Sequence, residues 1–486
     1  MSKLTNWVVS GAMAILLAGC AVGPRYERPT VEAPDTFKEA FLSPQAAQKW
    51  KAAQPSEILE RGQWWRVFED SELNALEEQA LMANSNLKAA AARVRQARAL
   101  LKDSRSGLWP QVDVGFGPNR QRASSASQGL SSEQDNSPLT LWRAQASVSY
   151  EADLFGRVAS TVDAATADAQ QSEALFQSVR LALQADVAQG YFLIRQLDAE
   201  QELYRHTVEL REQTLKLVER RFLEGDISEL DVARTKSELA SAQSESMGIA
   251  RQRAEAEHAL AILLGKTPAE FSIDPRPLVR VAVGIPAGLP SSLLERRPDI
   301  AAAERAMAAA NARIGAAHAA FFPRLNMTGA LGYESSHLGD LFQWSSRTFL
   351  LGPLLGTALS LPIFDGGQRQ AGLDHARAKY EEDVAQYRQT VLNAFREVED
   401  SLSSLRILGD QTQVQDEAVQ AAARAAQLSQ IQYREGSVSY LDVLDADRMV
   451  LQQRRVAVQL DAERAHAAVK LIRAIGGGWD TPASTG

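Results

Sequence analysis

The chain has 486 residues, a formal net charge of −8 and a single cysteine. The excess of 60 acidic over 52 basic residues argues against a surface that binds nucleic acid or another polyanion. One cysteine cannot form a disulfide within the chain, so the fold must be stable without one.

The first twenty residues have the pattern of a bacterial export signal, expected over residues 1–19. Lys3 supplies the positive charge, and the apolar stretch that follows it is too short to cross a bilayer as a helix. The sequence from Leu17 to Cys20 resembles the bacterial lipobox. That resemblance implies that Cys20 becomes the mature N-terminus and carries N-palmitoyl and S-diacylglycerol chains.

The residues after Cys20 indicate how the chain meets a membrane. Ala21 follows the cysteine, in place of the aspartate that usually retains this class of lipoprotein in the inner membrane, so we expect the outer membrane. One lipid anchor holds a protein only weakly, which calls for a second membrane-embedded element. The stretch 349–364 is apolar but broken by glycine and proline, so we expect strands rather than a helix to cross.

The chain contains an internal duplication. Residues around Gly225 recur in the same order 211 positions later, and the residues near Trp109 recur 213 positions later, around Phe322. Three glycines of the first half have counterparts in the second half: Gly156, Gly225 and Gly265 correspond to Gly367, Gly436 and Gly476.

Each half is predicted to contain a helix, two strands and a long antiparallel helical hairpin. A lipidated arm precedes the first repeat, a linker joins the two repeats, and a short tail follows the second. The predicted ranges are 20–62 for the arm, 63–265 for the first repeat with strands near 110–120 and 142–154 and a hairpin over 156–265, 266–290 for the linker, 291–476 for the second repeat with strands near 323–335 and 354–364 and a hairpin over 367–476, and 477–486 for the tail.

The long helices show the spacing of a coiled coil. Residues 157–224 and 368–435 contain no proline, and large apolar residues recur at steps of three and four. A helix of this length is roughly 100 Å long at 1.5 Å per residue. Each hairpin is predicted to turn through a C-cap glycine followed by an N-cap serine. In the first half the seam consists of Phe176, Val179, Leu183, Val187, Tyr191, Ile194 and Leu197.

Three of the four predicted strands alternate between apolar and polar residues, and the fourth is more uniformly apolar. From Trp142 to Leu154 the even positions are apolar and the odd positions are polar, and two further strands repeat this pattern. Their lengths suit an outer-membrane crossing. Four strands cannot close a water-filled barrel, and lipid does not tolerate unpaired strand edges. Several copies of the chain must therefore share one barrel, with residues 119–140 and 335–352 as its outer loops.

Motifs spread along the chain resemble those of the outer-membrane efflux factors, the TolC-like family. With the lipobox, they are similar to the lipoprotein branch that serves resistance-nodulation-division (RND) drug pumps. Gln368 stands where the family often has arginine, which is a small departure. The motifs are Trp64-Trp65 with Phe68, Asp70 and Leu73, Asp153-Leu154-Phe155-Gly156-Arg157, Arg296-Arg297-Pro298-Asp299-Ile300, Ala320-Phe321-Phe322-Pro323 and Pro362-Ile363-Phe364-Asp365-Gly366-Gly367.

The resemblance implies a mainly α-helical fold with a membrane β-barrel. It implies a homotrimer in which twelve strands form one barrel and twelve helical segments form a periplasmic tunnel. It further implies a passive duct for drugs and other toxic small molecules. The expected partners are a periplasmic membrane-fusion adaptor, an inner-membrane RND transporter and the lipid bilayer, without nucleic acid.

The resemblance also places functional residues at the helical hairpin turns. By position in the second hairpin, Leu441 is expected to form an apolar ring, Asp445 an acidic ring, and Arg448 a charge that ties neighbouring helices, with Tyr433 opposite. The alternative is that Asp445 and Arg448 form an ordinary surface pair. Residues expected to dock the adaptor, or otherwise to form plain solvated turns, are Gly225, Ile227, Ser228, Gly436, Val438 and Ser439.

Other functions fit less well. A periplasmic adaptor needs one helical hairpin, and a trimeric adhesin needs a long repetitive passenger. A type I protein-secretion duct shares this fold and differs only in its cargo. The six histidines stand far apart and no catalytic motif occurs, so we expect neither an enzyme nor a metal site, and no cofactor beyond the lipid on Cys20.

Overall fold

The computed structural model describes residues 22–30, 34, 37–39, 63–122, 124, 137–280, 296–351 and 359–477. The export signal and Cys20 lie outside these residues. Short 3-10 turns stand beside seven helices and five strands in the described part of the chain. The helices are α1 (Ser71–Ala83), α2 (Ser85–Ser106), α3 (Arg157–Leu223), α4 (Glu229–Leu263), α5 (Pro298–Ala319), α6 (Gln368–Arg434) and α7 (Tyr440–Ala474), and the strands are β1 (Gln111–Gln121), β2 (Leu139–Ala152), β3 (Arg324–Ser335), β4 (Arg347–Leu351) and β5 (Leu359–Ser360).

The structure reproduces the internal duplication. Helices α3 and α6 each have 67 residues, and the return helices α4 and α7 each have 35. Each pair of long helices is joined by a tight turn. All six glycines that the repeat predicts at element boundaries have positive φ angles, which glycine adopts without steric cost. These angles are 76° at Gly156, 83° at Gly225, 68° at Gly265, 92° at Gly367, 76° at Gly436 and 93° at Gly476.

The described residues form two compact units. One contains the chain up to residue 30 together with 94–172 and 303–387, and the other contains 31–93, 173–302 and the residues from 388 onward. The sheet belongs to the first unit and the hairpin turns to the second. No helix in the described part of the chain combines the length and the apolar character that a membrane span requires.

The first unit contains an antiparallel sheet in the order β1-β2-β3-β4, with β5 also paired to β3. The fourth strand differs from the prediction of 354–364. Pairing begins at Arg347, inside the expected outer loop, and ends at Ser360. At Arg347 the backbone hydrogen bonds to β3 outweigh the local sequence, which favoured a loop there. The pairing does not continue far beyond Ser360, because Pro362 has no N–H to donate to a neighbouring strand. Residues 352–358 lie outside the described residues.

The register of the sheet places all the predicted apolar positions on one face. Phe116 lies opposite Ala144, which lies opposite Tyr333, and Leu331 lies opposite Phe349. This face is open in the single chain: Phe349 is 76% exposed. The predicted two-residue alternation of β1, β2 and β3 is thus confirmed, and no side chain of these three strands is buried in the single chain.

Residues 22–26 of the N-terminal arm lie against α5. The Tyr26 hydroxyl donates to Glu304 Oε1 at 2.6 Å, and Asn311 Nδ2 donates to the Pro24 carbonyl at 3.1 Å. Gly23 approaches α5 so closely that an added Cβ would lie 2.7 Å from the Cα of Gly315. The arm is therefore held by side-chain hydrogen bonds and by direct contact between backbones.

The second unit is built on an aromatic core beside the long helices. Trp65 is fully buried, and the Trp64 indole donates to Gln184 Oε1 at 3.1 Å. The predicted linker is well bonded where it is described: Asp198 accepts from Arg253 Nε at 2.6 Å and from the backbone N–H of Arg276 at 3.0 Å. These buried charge-assisted bonds hold the linker against α3 and α4.

Candidate functional site

Both hairpin turns have the caps that the sequence predicted. Gly225 N–H bonds to the Phe222 carbonyl at 3.0 Å, and the N–H of the next residue bonds to the Arg221 carbonyl at 3.0 Å, which is the double bond of a Schellman cap. Gly436 makes the equivalent bond to Tyr433. The return helices begin at Ser228 and Ser439, each in a capping box.

The aspartates of these capping boxes occupy equivalent positions in the two halves. Asp231 Oδ2 accepts from the Ser228 hydroxyl at 2.8 Å, and Asp442 Oδ2 accepts from the Ser439 hydroxyl at 2.7 Å. The two acids therefore have the same structural role, which is to cap the start of the return helix. The turns themselves are exposed, with only the apolar residue between glycine and serine, Ile227 or Val438, half-buried.

Asp445 and Arg448 lie on the exposed side of α7 near the second turn. Arg448 Nη1 donates to Asp445 Oδ1 at 3.1 Å, and the two side chains are 49% and 60% exposed respectively. Leu441, one turn earlier, is also exposed. Taken alone, this pair has the geometry of an ordinary surface ion pair, which contributes a few tenths of a kcal/mol.

Arg448 has a second partner that the sequence analysis missed. Its Nη2 contacts Glu238 of α4, so it joins the second hairpin to the first. Glu238 also receives Arg211 Nη2 at 3.1 Å on its other oxygen, and its side chain is only 12% exposed. The hydrogen bond from Arg448 lowers the pKa of Glu238 below its ordinary value, with the charge of Arg211 acting in the same direction. Glu238 is therefore an ionised centre between two arginines.

Tyr433 forms a second link between the two hairpins. Its hydroxyl accepts from Arg221 Nη1 at 2.7 Å, and its ring lies 5.6 Å from that of Tyr440 across the turn. Burial raises the pKa of Tyr440, which keeps that ring neutral. The structure thus brings Tyr433 and Arg448 into two separate contacts with the first hairpin.

The missed residues share a signal in the sequence. Glu238, Arg211 and Arg221 are charged, whereas the positions 211 residues later are Met449, Ala422 and Gln432. A charge present in only one copy of a repeat is not needed for the repeated fold. Such positions are therefore candidates for contacts between the copies, and comparing the halves residue by residue would have found them.

The described residues contain no group of three or more His, Cys, Asp or Glu side chains placed to hold a metal ion. The side chains at the turns can interact with other residues through their charges and through the fit of their surfaces. Carboxylates, arginines and a tyrosine link neighbouring helices through bonds that solvent and salt can reach. Such contacts can hold helices together and can also release them.

The sequence profile described as outer membrane efflux protein matches the chain twice, over residues 76–266 and 289–477. The two matches correspond to the two repeats. The chain belongs to the outer membrane efflux protein family. The TolC-like resemblance noted from the motifs is confirmed.

Relatives in this family match over nearly their whole length. Outer membrane protein OprJ of Pseudomonas aeruginosa is 35% identical over 488 residues, 99% of this chain and 97% of that protein. Cation efflux system protein CusC of Escherichia coli is 32% identical over 96% of this chain and 97% of its own length. The solved structure of the outer-membrane channel OprN is 30% identical, with a TM-score of 0.83 over 95% of this chain and all of that one. The chain is an outer-membrane efflux protein with the predicted fold class.

Proposed function

We propose that three copies of the chain form one continuous duct. The observation that carries this is the sheet: its apolar face is exposed in the single chain, and β1 and β4 end its order without a further partner among the described strands. Lipid would cover the apolar face, and strands of neighbouring copies would pair with the edges. Three copies would give a twelve-strand barrel and a twelve-helix periplasmic tunnel.

The duct would be the last stage of a three-part pump. A lipid on Cys20 would hold the N-terminus in the outer membrane, and the barrel is the second anchor that such a lipid requires. The exposed turns at Gly225, Ile227 and Ser228 and at Gly436, Val438 and Ser439 would dock a periplasmic adaptor, which connects the duct to an inner-membrane RND transporter. The duct itself would be passive.

The cargo would consist of small molecules, drugs, toxic compounds or metal ions among them. One relative, CusC, is named a cation efflux system protein, and another, TtgF, is named a toluene efflux pump outer membrane protein. Proteins of this fold therefore serve pumps with different cargo. A strain that lacks this gene should become sensitive to at least one toxic small compound or metal ion, and the gene supplied on a plasmid should restore growth. If the strain instead lost secretion of a large protein and kept its resistance, the small-molecule proposal would be wrong.

Closure would occur at the second hairpin turn. Leu441 from three copies would exclude water on the axis, and three Asp445 carboxylates would favour cations. The bond from Arg448 to Glu238 and the bond from Tyr433 to Arg221 would hold the second hairpin against the first. Opening would then require these links to break while the helices stay folded.

Asp445→Ala and Glu238→Gln are each expected to raise the single-channel conductance of the purified protein in planar bilayers about twofold or more. Asp445→Ala removes the acidic ring, and Glu238→Gln weakens the bond that holds Arg448. Arg234→Ala is the matched control, because Arg234 is the equivalent of Asp445 in the first hairpin, and it should leave conductance unchanged. The reconstituted particle should have the mass of three chains. Unchanged conductance in both variants would rule out this gate.

A further inference from the structure

The charges on the polar face of the sheet are arranged in levels by the strand register. At the level nearest the outer loops, Arg143 of β2 lies opposite Glu334 of β3, and Arg143 Nε donates to Glu334 Oε2 at 2.6 Å. At the opposite end, Glu151 receives two hydrogen bonds from Arg157, at 2.7 and 2.6 Å. Both carboxylates are therefore matched by an arginine.

Asp113 lies between these two levels and has no such match. Its Cα partner is Ser147, whose partner on β3 is Ala330. Asp113 is exposed, and the described residues provide neither an ion-pair nor a hydrogen-bond partner for its carboxylate.

The basic groups of the polar face are too far from Asp113 to neutralise it. Arg143 is four residues along β2 from Ser147, or about 13 Å, and Arg324 is six residues along β3 from Ala330, or about 20 Å. Both distances exceed the screening length of about 8 Å at physiological salt. The carboxylate therefore acts as an isolated negative charge at its level of the sheet.

A neighbouring copy would not neutralise this charge either. Asp113 is on β1, an edge of the sheet, so in a shared barrel its next strand is the fourth strand of another chain. The one charged residue of that strand is Arg347, at its outer end and in register with Tyr333 of the apolar face, and residues 348–364 carry no charge. Three unmatched carboxylates at one level would thus remain unmatched after assembly.

We propose that Asp113 makes the bore of the barrel negative at this level, so that positively charged solutes, organic or inorganic, are favoured over anions there. The proposal rests on the proposed function, in which the polar face lines the bore. Asp113 belongs to the sheet, and it acts independently of the candidate gate at Asp445. Cationic cargo would be attracted at the outer-membrane stage, because Arg347 of the fourth strand belongs to the apolar face and the charges of Arg143 and Glu334 are paired, so neither opposes the field of Asp113.

The test measures the local field with an engineered thiol. Ser147→Cys places a thiol on the same face as Asp113 and directly opposite it. In outer-membrane vesicles, the labelling rates of Ser147→Cys with a cationic and an anionic methanethiosulfonate of similar size are compared. Their ratio cancels any change in the reactivity of the thiol itself. The parent protein, whose only cysteine is Cys20, gives the background.

Adding Asp113→Asn to Ser147→Cys should lower the cation-to-anion ratio roughly fivefold at low ionic strength, and the difference should vanish near 1 M salt. Neutralising Arg143 and Glu334 together, as Arg143→Gln with Glu334→Gln, removes no net charge and should leave the ratio unchanged. A ratio that does not respond to Asp113→Asn overturns the inference. Asparagine has nearly the shape of aspartate and the position is exposed, so folding should be retained.

Ala146→Cys separates this inference from the function on which it rests. Ala146 is the neighbour of Ser147 and points to the apolar face. If it is labelled as fast as Ser147→Cys, the apolar face is in water and the proposed duct is wrong. If only Ser147→Cys is labelled and Asp113→Asn changes nothing, the duct stands and the role of Asp113 fails.

Discussion

Replacing Gly265 or Gly476 by alanine is expected to destabilise the folded protein by roughly 3 kcal/mol or more. Both glycines have positive φ angles, 68° and 93°, at which a Cβ is strained. A Cβ at Gly265 would also lie 2.8 Å from the carbonyl oxygen of Ala83, and one at Gly476 would lie 2.9 Å from that of Arg296. Backbone atoms cannot move aside as a flexible side chain can.

The hairpin turns provide matched controls for this prediction. Gly225 and Gly436 have similar φ angles, 83° and 76°, but no atom lies within 4 Å of a Cβ built there. Gly225→Ala and Gly436→Ala should therefore cost only about 1 to 2 kcal/mol, the price of a left-handed alanine. Guanidinium unfolding of the four variants in detergent measures the difference. An equal loss at all four sites would show that the close contacts are not important.

Replacing Glu77 by leucine is expected to stabilise the protein by roughly 2 to 4 kcal/mol at neutral pH. Glu77 is on the inner face of α1, with Leu73 one turn before it and Ala80 one turn after it, and all three are fully buried. Neither carboxylate oxygen has a hydrogen-bond partner among the described residues. Burial raises the pKa of Glu77 well above its ordinary value near 4.5.

This raised pKa fixes how the effect depends on pH. Below about pH 4.5 Glu77 is protonated in both the folded and the unfolded chain, so it costs no ionisation energy. As the pH rises from there toward the folded pKa, only the unfolded chain ionises, and the free energy of unfolding falls. Above the folded pKa the cost is constant. The advantage of Glu77→Leu should therefore grow as the pH is raised above 4.5.

The neighbouring residue is the control for Glu77. Glu78 is 53% exposed and lies 3.8 Å from Arg66, so Glu78→Leu should change stability by less than about 0.5 kcal/mol and should show no comparable pH dependence. Thermal unfolding of both variants at pH 4 and pH 8 makes the comparison. If Glu77→Leu were no more stable than the parent at pH 8, Glu77 would have to be solvated or paired in the assembled protein.

The two helical hairpins were predicted from the periodicity of the sequence. The absence of proline, the three- and four-residue steps and the repeated glycines together located both pairs of long helices and their turns. Propensity, capping and apolar spacing are local, and for helices this long they agree over many turns. The fourth strand was located poorly because its start depends on pairing with β3, and local sequence does not determine a partner.

The residues of the candidate gate were predicted only in part from the sequence. Position in the family pointed to Tyr433, Asp445 and Arg448, and all three lie near the second turn. It did not point to Glu238 or Arg221, which come from the other hairpin. Side chains more than two hundred residues apart meet only after both hairpins have packed together.

The amino-acid sequence by itself determined the duplication, the helical hairpins with their caps and the amphipathic strands, because each depends on interactions between residues a few positions apart. It also determined the family. Only the tertiary structure decided which of two adjacent glutamates is buried, which arginines meet Glu238, and that Asp113 is the one carboxylate on the described polar face without a paired arginine. Burial and ion pairing depend on which residues lie within a few ångströms of each other in the folded chain. The pattern of neighbouring residues in the sequence does not specify those distances.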